Sequence, residues 1–359
     1  MEIKTLGELC DIVSGGTPSR SKAEFWNEGT IPWIKIGNIK GKYVNEADEF
    51  ITQEGLAGSS AKMLAKGTVL YTIFATLGEV GILEIDACTN QAIAGLTIKD
   101  TNQLSTDYLY YYLRSKKAYV NNVGRGVAQN NINMSILRSF ELPLPELSKQ
   151  IEIVEIIDKV SKIIEARQQE LECLDDLIKA RFVELFGDPI RNTQNRPTTE
   201  FINVVKMQRG FDLPVQDRQQ DGEIPVYGSN GALDYHNVAK IHGGVITGRS
   251  GTIGKVFYTE GDFWPLNTSL FSADTHGNNV IYLGYLLQLF DLTRFVEGTG
   301  VPTLNRNMFH NKQIIDVPID EQRVFADFVH QIDKSKSAVK KALDETQLLF
   351  DSLMQEYFD

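Results

Sequence analysis

The sequence of 359 residues is short of cysteine, histidine, long apolar runs and positive charge. Its three cysteines, Cys10, Cys88 and Cys173, stand far apart and form no CxxC pair. That excludes a disulfide framework or a zinc knuckle and points to a reducing, cytoplasmic setting. The five histidines, His236, His242 and His310 among them, show no metal-ligand spacing with carboxylates, so no metal site is expected. No stretch approaches the ~18–20 continuous apolar residues of a membrane span. The first residues, Met1 to Leu9, lack a basic region followed by an apolar run, so no secretory signal is expected. Lys and Arg number 36 against 47 Asp and Glu, a net charge of −11, which is the wrong sign for the usual nucleic-acid binder. With 42% hydrophobic and 23% charged residues, the chain otherwise has the composition of an ordinary soluble globular protein. Its length predicts roughly two to three domains.

Catalytic motifs are also missing. A base-methylating loop of the form [DNS]-P-P-[FYW] does not occur; Asp188-Pro189-Ile190 comes nearest and fails at the second proline. Gly251-Thr252-Ile253-Gly254-Lys255-Val256 has the wrong glycine spacing for a phosphate-binding loop, and Val where the hydroxyl belongs. Glu297-Gly298-Thr299-Gly300 hints at a cofactor loop, but its other copy is Val123-Gly124-Arg125-Gly126, with no acidic partner pattern. No Ser-His-Asp set or nuclease-type carboxylate cluster stands out. The chain is therefore expected not to be an enzyme and to bind no cofactor itself.

What is present is a repeat. Gly67-Thr68-Val69-Leu70 with Thr76-Leu77-Gly78 matches Gly243-Gly244-Val245-Ile246 with Thr252-Ile253-Gly254, an offset of 176 residues. In the same order, Asn90 matches Asn267, Tyr108-Leu109 matches Tyr282-Leu283, Gly124-Arg125-Gly126-Val127 matches Gly298-Thr299-Gly300-Val301, and Gln150 matches Gln322. The small drift in offset is what loop insertions produce. Each copy has a mixed segment of short β-branched runs bounded by glycines, with helical stretches at Asp107–Tyr119 and Val280–Phe295, and then one long helix. The fold class is α+β. The segments are residues 1–147 (mixed), 148–187 (long helix), 188–199 (a polar linker with Pro189 and Pro197), 200–319 (mixed) and 320–359 (long helix).

Both long helices carry an apolar seam at alternating 4-3 spacing. In the first it runs through Ile153, Ile157, Val160, Ile164, Leu171, Leu174, Ile178 and Leu185, interrupted by Arg167 and Arg181. In the second it runs through Phe325, Val329, Ile332, Val339, Leu343, Phe350, Leu353 and Tyr357, interrupted by Lys336 and Thr346. A helix of this length spans ~55 Å. Two equal seams in one chain most simply pair with each other. Two tandem copies favour a pseudo-two-fold arrangement, hence an antiparallel coiled coil. Facing residues would then have numbers summing to about 508. This register puts Arg181 near Asp327 and Lys336 near Glu172.

Several stretches carry a family resemblance: Gly15-Gly16-Thr17-Pro18-Ser19, Ile31-Pro32-Trp33-Ile34, Ile224-Pro225-Val226-Tyr227-Gly228-Ser229-Asn230-Gly231, Arg249-Ser250-Gly251-Thr252-Ile253-Gly254-Lys255, Glu184-Leu185-Phe186-Gly187-Asp188-Pro189, and Ser352-Leu353-Met354-Gln355-Glu356-Tyr357-Phe358. With two mixed segments and two helices in this order, the chain resembles the DNA-sequence specificity subunit of type I restriction–modification systems. The resemblance implies that each mixed segment is a target recognition domain reading one half of a bipartite site in double-stranded DNA. It implies that the helices set the spacer and dock two methyltransferase (modification) subunits, with restriction (endonuclease/translocase) subunits joining the larger complex. S-adenosylmethionine and ATP would sit on those partner subunits. Half-sites about one helical turn apart, ~34 Å, present the same face of the duplex, so a rigid spacer matters. The sequence alone also leaves open a coiled-coil scaffold that binds protein, or a DNA-modifying enzyme in its own right.

Base reading asks for Arg at guanine and Asn or Gln at adenine, while Lys, Arg and hydroxyls contact phosphate. In the first domain the candidates are Thr17, Arg20, Lys22, Lys35, Asn38, Lys40, Lys42, Thr76, Arg125, Gln129, Asn130 and Asn131. In the second they are Arg209 with its neighbour Gln208, Tyr227, Ser229, Asn230, Tyr235, His236, Arg249, Ser250, Lys255, Asn267, Thr268, Asn305, Arg306 and Asn307. Any one of them could equally be a turn former or solvated surface. Positions shared by the two copies more readily build the fold, and differing positions more readily discriminate bases, which favours Arg249 and Ser250 over Thr252. The charge is unevenly spread. Residues 150–188 and 321–359 together carry −8, while residues 1–149 and 189–320 carry only −3. An acidic rod would be kept off DNA, and near-neutral readers would bind it weakly alone, leaning on basic surface lent by a partner.

Overall fold

The computed structural model describes residues 2–124, 131–219, 221–297 and 302–358. It is mixed α/β and divides into two units, residues 1–166 with 343–359 and residues 167–342.

In the first unit ten strands are numbered in chain order: β1 (Glu2–Thr5), β2 (Cys10–Ser14), β3 (Ile31–Ile34), β4 (Tyr43–Val44), β5 (Glu49–Ile51), β6 (Val69–Thr72), β7 (Val80–Leu83), β8 (Cys88–Thr89), β9 (Ile93–Ile98) and β10 (Glu141–Leu144). The main sheet has the order β2-β9-β6-β7-β4; a three-stranded sheet, β5-β3-β8, and the pair β1-β10 complete it. The central strand β6 reads Val-Leu-Tyr-Thr and is buried on both faces, as a strand covered on each side must be. One cover is the helix Thr106–Ser115, whose run Tyr108–Leu113 is buried all round. A break at Lys116 separates it from the helix Lys117–Gly124, where the sequence suggested one continuous element. Burial pushes the Cys10 and Cys88 thiols up to about 12 and about 11, so both stay protonated packing residues.

The second unit repeats this order in part. Its strands are β11 (Thr198–Glu200), β12 (Lys206–Arg209), β13 (Ile224–Gly228), β14 (Gly231–His236), β15 (Ile241–Gly248), β16 (Val256–Pro265), β17 (Ser269–Asp274), β18 (Val296–Glu297), β19 (Thr303–Leu304) and β20 (Gln313–Ile315). The main sheet runs β12-β17-β15-β16-β13-β14, and β11 pairs with β20 as β1 pairs with β10. The parallel contact of β3 with β8 recurs between β13 and the end of β16. Asn279 caps the helix Val280–Phe290 by accepting from the Ile281 and Tyr282 N–H groups. Asp291, at φ +54°, ends that helix before Phe295.

The matched glutamines explain each other. Gln150 is fully buried; its Oε1 accepts from the Ser105 N–H at 2.9 Å, and its Nε2 donates to the carbonyls of Gln103 and Pro145. Gln322 is buried likewise; it accepts from the Asn279 N–H at 2.9 Å and donates to Asn278 Oδ1 and the Val317 carbonyl. Each ties the entry of a long helix to the loop before a buried helix. Both satisfy backbone groups that burial would otherwise leave unpaired.

The long helices span Leu147–Phe186 and Ile319–Phe358. Every seam position read from the sequence is buried or half-buried. In the first unit Ile153, Ile157 and Val160 share a core with Phe350, Met354 and Phe358. In the second, Ile178, Phe182 and Phe186 share one with Phe325, Ala326 and Val329. The compact units therefore do not end where the mixed segments end: each includes half of each helix, because those halves bury their seams in that unit's core.

Two expected polar contacts are corrected. Lys336 pairs with Asp175 at 2.6 Å rather than with Glu172, three residues from the expected partner. Arg181 pairs with Glu184 on its own helix, 2.7 Å, and lies over the Phe328 ring rather than reaching Asp327. The polar segment expected to link the halves is held to its neighbours. Gly187, at φ +80°, donates to the Val183 carbonyl as a helix stop. Arg196 then folds back to donate to the Leu185 carbonyl and to pair with Glu321, both at 2.6 Å.

Candidate nucleic-acid interface

In both units the loops leaving the first and third strands of the sheet meet the loop entering the second. In the first unit β2 ends at Ser14, and Gly15 N–H donates to the Ile93 carbonyl at 3.0 Å. A Cβ on Gly15 would stand 2.2 Å from the Asn90 carbonyl oxygen, so only glycine passes there. β6 ends at Thr72, and Ile73 N–H donates to the Ala92 carbonyl. In the second unit Gly210 N–H donates to the Ser269 carbonyl at 3.1 Å, and Arg249 N–H to the Thr268 carbonyl at 2.9 Å. The Gly-Gly-Thr stretch thus marks a chain crossing. The result is one loop-bearing end on each sheet, with polar side chains held by a β scaffold, a common way to present recognition residues.

Many of the residues expected at DNA gather there. In the first unit these are Thr17, whose hydroxyl donates to Gln91 Oε1, the exposed Thr76, and Asn131, which bridges to Phe74. In the second, Arg249 and Ser250 follow β15, Ser250 bridges to Thr303, and the Arg249 carbonyl accepts from Leu304 N–H. That brings in Asn305, whose side chain caps the turn holding Arg306 and Asn307. Thr268 is exposed, and Asn267 Nδ2 donates to Asp212 Oδ1. In the β13–β14 turn, beside Ser229, Asn230 accepts from Lys255 Nζ at 2.8 Å. Arg209 is exposed at the end of β12, next to Gln208.

Others have structural work to do. Arg20 lies 3.7 Å above the Trp26 ring and pairs with Glu49 at 2.5 Å; Lys35 Nζ reaches the same carboxylate at 2.7 Å. The hydrogen bonds from Lys35 and Arg20 hold the Glu49 carboxyl below its ordinary range. Asn38 accepts from the Lys35 N–H, and Lys22 lies over Phe25. Lys42 is the clearest departure from expectation. Its ammonium sits between Asp107 and Asp158, 2.8 Å from each, and Tyr111 donates to the same Asp158 oxygen. Burial opposes its charge, but the two carboxylates outweigh burial and raise its pKa. It fastens the mixed segment to the long helix and is not free for a phosphate. Lys40 lies along the rim of the neighbouring cleft of about 1110 Å³.

In the second unit Tyr227 packs on Phe257 and Phe263, and His236 lies edge-on to Trp264 at 5.2 Å. Tyr235 stands exposed on the hairpin. His310 accepts from the Met207 N–H at 3.1 Å; burial, then the charges of Arg306 and Lys206, lower its pKa, so it is neutral. Arg125, Gln129 and Asn130 lie outside the described residues. Sequence reasoning missed Gln91 and Asp212, which complete the polar pairs at the two loop ends. Only the repeat-matched Asn90 and Asn267 beside them gave a signal. Among the described residues no group of His, Cys, Asp and Glu could hold a metal ion, and no helix is long and apolar enough to cross a membrane.

The model of the type I restriction modification DNA specificity domain matches residues 1–173 and again 192–346. The chain belongs to this family. The EcoR124I/EcoR124II type I restriction enzyme specificity subunit of Escherichia coli is 29% identical over 195 residues, 50% of this chain and 48% of that one, so the match spans about half of that relative's length. The EcoprrI specificity subunit, also of Escherichia coli, is 23% identical over 358 residues, 93% of this chain and 88% of that one. The fold resembles the crystal structure of a type I restriction-modification S subunit from M. genitalium, with a TM-score of 0.58 at 17% identity, covering 100% of this chain and 96% of that one.

Proposed function

We propose that this chain is the specificity subunit of a type I restriction–modification complex. The observation that carries the reading is the double match: two copies of a DNA specificity domain in one chain, each with its own sheet and its own polar loop end. Residues 1–147 and 200–319 act as target recognition domains, each reading one half of a bipartite site in double-stranded DNA. The helices 148–187 and 320–359 form an antiparallel coiled coil that sets the spacer. The shared cores of Ile157 with Phe350 and of Phe182 with Phe325, and the Lys336–Asp175 pair, support that direction. The reading includes a pseudo-two-fold relation between the copies, the arrangement that two tandem copies in one chain favour.

The chain recognises and does not catalyse. Methyltransferase subunits dock on the helices and bring S-adenosylmethionine; restriction subunits with ATP complete a nuclease. The acidic helices repel phosphate and leave their outer faces to protein partners. Altering the helices by whole turns is expected to change the spacer between half-sites in methylated DNA. Complexes that keep the original spacer with lengthened helices would refute the ruler. Absence of a DNA complex with and without methyltransferase subunits would favour a protein-binding scaffold instead.

A further inference from the structure

We infer that the side-chain amides of Asn267 and Gln91 are base-reading groups of the two target domains, each held in place by a neighbour, Asp212 or Thr17. The inference rests on the specificity-subunit reading above and deepens it. In each unit one polar pair links the loop after the first sheet strand to the loop entering the second: Thr17 with Gln91, and Asp212 with Asn267. The places are equivalent, since Gly15 and Gly210 make the same backbone crossing beside them. The chemistry is not equivalent. Asn90, the sequence match of Asn267, spends its side-chain oxygen on the Ala92 N–H, and the exposed Gln91 beside it makes the pair instead. Scaffold positions are shared and the presented groups differ, as two readers of different half-sites require.

An amide places a donor and an acceptor side by side, matching adenine N7 and N6–H₂ in the major groove. A free surface amide loses rotamer freedom on binding; a tethered one has already lost it. The tethers also bias the reading. Asp212 takes one Nδ2 hydrogen, leaving one N–H and both Oδ1 lone pairs, and its carboxylate repels the O6 of guanine. Asn267 is thus set for adenine. Thr17 takes an Oε1 lone pair, so Gln91 keeps both N–H donors and accepts either purine.

The test is methylation-site mapping on the complex assembled with a type I methyltransferase subunit. Asn267→Ala is expected to cut discrimination at one position of one half-site by about 10- to 100-fold and leave the other half-site intact. Asp212→Asn is expected to admit guanine at that position, and Gln91→Ala to alter one position of the other half-site. Unchanged base preference in the Asn267 and Asp212 variants would overturn the inference. So would loss of all methylation with an unchanged unfolding midpoint, because one base contact should leave the rest of the site in place. A wild-type complex with no bipartite site would overturn the underlying reading and the inference with it.

Discussion

In the first unit Arg20 and Lys35 converge on Glu49, and Lys42 on Asp107 and Asp158. In the second, Arg209, Arg249 and Arg306 have no carboxylate partner among the described residues. The two mixed segments are alike in charge, −1 for residues 1–149 and −2 for 189–320, so composition hides this difference. In the first unit these basic side chains stabilise the fold. In the second, on the proposed reading, they stay available to phosphates and guanine edges. On that reading, two domains that share part of their strand order divide recognition differently, one through tethered polar groups and one with arginines added.

The sharpest check is on what the units share. Gln150→Leu and Gln322→Leu each strip three partners of a buried hydrogen bond, and each is expected to cost about 3 kcal/mol in urea unfolding. Unequal losses would show that the matched glutamines are not equivalent. Next comes the contrast itself. Lys42→Met leaves two part-buried carboxylates facing each other and is expected to cost about 2 kcal/mol, whereas the exposed Lys40→Met should leave the unfolding midpoint unchanged. Arg249→Ala is expected to weaken DNA binding by the assembled complex about tenfold without changing stability, and to lower the salt dependence if the contact is to phosphate. A fall in stability instead would place Arg249 with the structural residues of the first unit.

The smallest effect concerns pH. All five histidines lie between 236 and 330, inside the second unit. Burial lowers the pKa of His310 in the fold, so the unfolded chain binds its proton more readily. The stability this neutral histidine contributes is present above the unfolded value, near 6.5, and is lost as pH falls below it. Amide exchange at pH 5.5 against pH 7.5 should show protection declining around Met207 and not in the sheet of the first unit.

The duplication and the helices could be read from the residues because their signals are local and periodic. A 4-3 apolar pattern repeats along each helix, and each of its positions is at least half-buried. The seam reading still missed Phe182, Phe186, Met354 and Phe358, all buried, because near the helix ends the contact face widens onto the globular part of each unit. The expected partner of Lys336 was off by three residues, since its ammonium reaches two carboxylates, Asp175 and Asp333, and is closer to Asp175. Site residues were harder, because their partners are distant in sequence. Lys42 and Asp158 are 116 residues apart, and Asp212 and Asn267 are 55 apart. Residue type alone does not tell a lysine held by two aspartates from one free to meet DNA.

The central claim is that each mixed segment reads its own half-site. The most direct measurement replaces residues 1–147 with the corresponding domain of another family member and maps methylated sites made by the assembled complex. One half-site should change to that of the donor, while the other half-site and the spacer stay as they were. A chimera that changes both half-sites, or neither, would contradict the claim.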